Sequence, residues 1–154
     1  MNALENRVPP PLVAVLFGLL MLLAARHMPG ALNMAIEWRA GGALALLLAG
    51  MGICLAGVLS FRDARTTVNP LKPETASALV SSGIYRYTRN PMYLGFATAL
   101  VAWSIFLAWP ASVLGVLGFV VYMNRFQIGP EERALKRLFG HHFTQYCSRV
   151  RRWL

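Results

Sequence analysis

Acidic residues are scarce in this chain. Six Asp and Glu stand against 15 Lys and Arg in 154 residues, and none of the six falls in the four long apolar runs at 12–25, 41–61, 92–108 and 111–126. A proton-coupled transporter normally buries an acid inside a span, so that class is disfavoured. Cysteine is also rare. Cys54 belongs to an apolar run and Cys147 to the basic tail; a disulfide would have to join mid-bilayer to surface, so both thiols are expected free. The three histidines, His27, His141 and His142, lack partners at metal-ligand spacing, and no metal site is expected. No strand leads into a glycine-rich turn, which excludes the soluble dinucleotide-type cofactor fold. With no internal repeat or low-complexity segment, residues 1–154 read as one domain.

What the chain has in abundance is apolar surface: 56% hydrophobic residues and 14% charged, a composition that predicts an all-α integral membrane protein. The net charge of +9 does not signal nucleic acid, because the basic residues lie beside apolar runs and form no known nucleic-acid motif. The first run would also fit a secretory signal, but no small-x-small cleavage site follows, so an uncleaved span is favoured. The second run is long enough to cross a bilayer, and Ala45, Ala49, Gly52 and Ala56 recur along it at helical spacing, which predicts close helix packing. The third and fourth, each about 16 to 17 residues, predict a tight hairpin near the lower limit for a span. All but Arg26 and Arg39 of the Lys and Arg residues lie in the N-terminus, the 62–90 connection or the segment from Arg125 onward. The positive-inside rule then gives about four transmembrane helices in the inner membrane with both termini cytoplasmic.

Within the 62–90 connection, residues 66–73 are too rich in proline for a helix interior and predict an ordered loop or reentrant lid. At its end Asn90 is expected to cap a helix with Pro91 in the first position. Gly129-Pro130-Glu131-Glu132 reads as a new helix start. Leu135, Leu138 and Phe139 then mark an apolar face, Gly140 a stop, and Phe143, Tyr146, Cys147 and Val150 a second amphipathic helix. Both helices are expected at the membrane surface.

Two blocks carry chemistry. Gly83-x-Tyr85-x-x-x-Arg89-Asn90-Pro91-x-Tyr93-x-Gly95, followed by Glu131-Glu132-x-x-Leu135-x-x-x-Phe139-Gly140 and Tyr146-x-x-x-Val150-x-Arg152-Trp153, resembles the isoprenylcysteine carboxyl methyltransferase and phospholipid methyltransferase family of integral membrane enzymes, over residues 60–154. Residues 66–70 also resemble bacterial members. The resemblance implies methyl transfer from S-adenosylmethionine at the cytosolic membrane face to a small or lipophilic acceptor: an isoprenylcysteine-like carboxylate, a thiol or a lipid amine. It implies cofactor contacts from Tyr85, Asn90, Pro91, Tyr93, Gly95, Glu131 and Glu132, with Glu132 reaching the cofactor more than Glu131, and a catalytic Arg89 orienting the acceptor. The family has histidine at Asn90. The residue types suit the ligand, whose sulfonium and ammonium want carboxylates and aromatic faces and whose carboxylate wants a helix N-terminus.

Plainer readings stand beside these. Arg86 and Arg89 also fit arginines snorkelling to lipid phosphate, Tyr85, Tyr87 and Tyr93 an interfacial aromatic belt, and Glu131 and Glu132 the dipole at a helix start. A nicotinamide-dependent reductase of the sterol-reductase type shares the C-terminal architecture, and a non-enzymatic transporter or assembly subunit is the alternative outside catalysis.

Overall fold

The computed structural model describes residue 5, residues 7–64 and residues 77–154; the expected loop or lid at 66–73 lies outside them. The described residues are helical, without strands: α1 (Pro10–His27), α2 (Ile36–Asp63), a 3₁₀ turn (Gly83–Arg86), α3 (Pro91–Leu107), a second 3₁₀ turn (Pro110–Ser112), α4 (Val113–Tyr122), a π-turn (Met123–Ile128) and α5 (Gly129–Arg149).

Among the described residues three helical segments are long and apolar enough to cross a membrane, Pro10–His27, Ile36–Asp63 and the continuous Pro110–Arg149, with α3 one residue short at 17. At 1.5 Å per residue α3 reaches about 25 Å, a little under the hydrocarbon thickness. The faces that point outward are apolar. Leu16, Leu20 and Leu23 on α1, Leu48, Met51 and Leu55 on α2, and Leu114 and Val121 on α4 are all exposed, the reverse of a water-soluble helix bundle. Their natural solvent is lipid.

Inside, Val13 and Met21 of α1, Tyr93, Ala97 and Leu100 of α3, and Val116 and Phe119 of α4 form one core with Met123 and Ile128. The α2–α3 crossing is closer. A Cβ on Gly95 would stand 2.3 Å from Cys54 Sγ and 2.6 Å from Gly50 O, and one on Gly57 would stand 3.1 Å from Pro91. The packing stripe of α2 is therefore Ala43, Gly50 and Gly57, not the expected one: Ala45, Ala49 and Gly52 are exposed and Ala56 half-buried. Both stripes recur at helical spacing, and only the position of α3 selects between them.

The helix ends sort into two groups. At one end Arg39 donates through Nε to Phe106 O at 2.7 Å and through Nη2 to the same carbonyl, finishing α3, while Trp109 Nε1 donates to Pro29 O at 3.2 Å. At the other end Glu5 pairs with Arg133 at 2.8 Å and Arg125 at 3.7 Å, and the ring of Phe61 meets that of Tyr85 at 5.4 Å. Glu5 and the end of α2 thus share one face with the C-terminal tail.

Two local features shape the tail. α5 starts at Gly129 with Pro130 in its first turn, as expected, but it follows the π-turn without a break, Ile128 being already helical at φ −66° and ψ −45°. A proline inside a helix lacks its N–H and crowds the preceding turn, and the π-turn just before it absorbs that, with Gly129 N–H bonding Asn124 O. Gly140 does break the helix, at φ 51° and ψ −119°, a left-handed conformation that favours glycine.

Candidate active site

The turn before α3 and the tail after α5 interlock. Thr88 is buried and its hydroxyl accepts from Asn90 N–H at 3.2 Å. Arg89 N–H donates to Arg151 O at 3.0 Å. Asn90 occupies the cap position, but its side chain caps nothing in α3; Nδ2 donates to Arg152 O at 2.9 Å instead. Its extended φ of −132° with ψ 58° turns the amide toward the tail. Pro91 takes the first helical position as expected and is fully buried.

Arg89 is only 14% exposed and spends its fork on protein groups. Nη1 donates to Cys147 O at 3.1 Å and Val150 O at 3.0 Å, and Nη2 to Glu132 Oε1 at 2.9 Å. Nε is buried without an acceptor among the described residues. Arg152 grips the same carboxylate from the other side, Nη2 to Oε2 at 2.5 Å and Nε to Oε1 at 3.1 Å. Those contacts to Glu132 hold the Arg152 guanidinium above its ordinary pKa. Asn124 completes the frame, its Oδ1 accepting from Trp153 Nε1 at 3.1 Å and Arg152 Nη1 at 3.4 Å. A carboxylate gripped by two guanidiniums in a partly buried place gains charge-assisted bonds of about 1.5–3 kcal/mol each.

Glu131 is set apart from that triad. Its Oε2 accepts from Tyr93 Oη at 3.0 Å, and no basic side chain pairs with it among the described residues. Tyr85 lies nearby and buried, its carbonyl accepting from Tyr146 Oη at 2.8 Å. Burial first, then the charge of Glu131, push its phenol well above the usual range, so it stays neutral.

The structure therefore joins Arg89, Asn90 and Glu132 in one network, and Tyr93 with Glu131 in a second contact beside Tyr85. Pro91 contributes packing. Gly95 faces α2 at the glycine crossing. Sequence reasoning missed Thr88 and Asn124 altogether; Asn124, a lone amide at the end of an apolar run, was the available signal. Arg152 was quoted in the tail motif without a role.

An all-helical membrane protein with a charged cluster where its apolar helices end is the class this fold and site define. The chain belongs to the phospholipid methyltransferase family, whose family model matches residues 38–142. A protein of Haemophilus influenzae without an assigned function is 41% identical over 63 residues, all of that protein and 41% of this chain. Protein-S-isoprenylcysteine O-methyltransferase B of Arabidopsis thaliana is 28% identical over 116 residues, 73% of this chain. A probable protein-S-isoprenylcysteine O-methyltransferase of Oryza sativa subsp. indica is 28% identical over 110 residues, 70% of this chain. The chain spans 57% and 56% of the length of these two plant proteins. No solved structure matches it. The family and these relatives point to a membrane methyltransferase.

Proposed function

We propose that this protein transfers a methyl group from S-adenosylmethionine to a small or lipophilic acceptor, an isoprenylcysteine-like carboxylate, a thiol or a lipid amine, at the cytosolic face of the inner membrane. One observation carries the reading: a turn and a carboxylate pair about 40 residues apart, Arg89 and Glu131-Glu132, meet where apolar helices end.

The residues fit the cofactor. Glu131 offers a carboxylate with a phenol but, among the described residues, no cation against it, which suits a ligand bearing a sulfonium and an ammonium, and the Tyr85 and Tyr93 rings are suitable neighbours for positive charge. The buried Nε–H of Arg89 lacks an acceptor that a ligand oxygen would supply. When bound, S-adenosylmethionine supplies an electrophilic methyl group.

What the chain contributes is placement. Glu132 holds Arg89 and Arg152 together, and through them the tail; Glu131 is the acid we assign to the cofactor. Displacement at a methyl carbon needs alignment and exclusion of water more than proton transfer, and a partly buried polar cluster held by a locked tail suits that need. A carboxylate or thiolate acceptor arrives already nucleophilic. The test is methyl transfer from labelled S-adenosylmethionine into a fractionated extract of lipids, thiols and prenylated peptides. Label in one fraction, dependent on the protein, is expected; no incorporation into any fraction would refute the activity.

A further inference from the structure

Beside the Arg89 network, between the segment before α3 and the tail, runs an open groove of about 640 Å³. Its polar wall carries Arg86, His142 and Arg149, its apolar wall Leu79, Phe139 and Val150, and no acid among the described residues lines it. Past the Gly140 kink the last part of α5 lies against the segment that precedes α3, Tyr146 Oη donating to Tyr85 O. Arg86 and Arg149 are exposed, and neither pairs with a carboxylate among the described residues.

The charge decides what belongs there. S-adenosylmethionine is a net cation and is repelled, so this is not the cofactor's place. Two guanidiniums suit a phosphate, and no acid among the described lining residues stands ready to receive the ammonium of a zwitterionic headgroup. The groove lies at the end of the bundle where the exposed leucines of α1, α2 and α4 give way to basic residues, the level at which lipid phosphates sit. The geometry points to a binding site for one anionic phospholipid, its phosphate between Arg86 and Arg149 and the start of its acyl chains against Phe139, Val150 and Leu79. The lipid would join the segment before α3 to the tail on the side opposite the ion-pair triad.

Native mass spectrometry of the delipidated full chain in neutral detergent, titrated with phosphatidylglycerol, phosphatidylcholine or inorganic phosphate, tests this independently of any methyl transfer. One phosphatidylglycerol per chain is expected, with phosphatidylcholine at least about ten-fold weaker. Arg86→Gln/Arg149→Gln should weaken phosphatidylglycerol at least about ten-fold, the equivalent of about one lost charge-assisted contact. Lys136→Gln/Arg137→Gln, exposed on α5 outside the groove, should stay within about two-fold of wild type. Equal binding of both lipids, equal loss in the two double variants, or full displacement of the lipid by inorganic phosphate would each overturn the site. Should the glutamine pair fail to fold, Arg149→Glu alone carries the same comparison.

Discussion

Replacing Arg89 by lysine conserves charge and removes the planar fork, which separates a residue that clasps the tail from one that only neutralises lipid phosphate. In the structure the fork makes three bonds, to Cys147 O, Val150 O and Glu132 Oε1. A single ammonium on a shorter stem can keep one, so two are lost at about 1.5 kcal/mol each. Removing the unpaired Nε returns about 1 kcal/mol. The net cost is about 2 kcal/mol, or about thirty-fold in the local opening of the tail. The Arg89 N–H bond to Arg151 O and the Asn90 bond to Arg152 O survive, so the change should be local. Hydrogen exchange in detergent micelles reads it directly: amides at 147–153 should lose about thirty-fold in protection while those of α2 and α3 keep theirs. Equal protection in mutant and wild type would show that the fork holds nothing, and the snorkelling account of Arg89 would replace the clasp.

Two further outcomes follow from the fold. Gly95→Ala places a Cβ against Cys54 Sγ and a backbone carbonyl that cannot yield, and should destabilise by about 1–3 kcal/mol in thermal or denaturant unfolding, whereas Gly52→Ala, with nothing within 4 Å, should be neutral or slightly stabilising; equal stability of the two variants would refute the glycine crossing. Reporter fusions after Leu154 and near Leu32 should report opposite sides of the membrane, the C-terminus cytoplasmic; a periplasmic C-terminus would overturn the proposed orientation.

Much of the fold was legible in the chain because lipid imposes length and apolarity on any helix that crosses it. The four apolar runs, the helix start at Pro91 and the break at Gly140 all appear where residue chemistry puts them. α5 also starts at Gly129-Pro130 as expected, but the π-turn that joins it to α4 without a break was not legible, since no periodicity in the sequence marks one. The stripe on α2 was misplaced because its choice depends on α3. The site was legible only in part. Arg89 and Glu132 were named and do meet, but a sequence cannot say that both oxygens of Glu132 are gripped by arginines, or that Asn90 turns from its helix to the tail. Those are facts of tertiary approach between segments about 40 to 60 residues apart.

The assignment of the two glutamates is where the account is most exposed to test. Calorimetric titration of the solubilised protein with S-adenosylmethionine, and separately with a reduced nicotinamide dinucleotide, should show saturable binding of the first alone. Glu131→Gln, which removes the carboxylate bonded by Tyr93 and by no cation among the described residues, should weaken that binding by about ten-fold or more. Glu132→Gln should weaken it less and release the tail, seen as lost exchange protection at 147–153. Binding of the nicotinamide cofactor instead, or an unchanged affinity for S-adenosylmethionine in Glu131→Gln, would contradict the site as drawn.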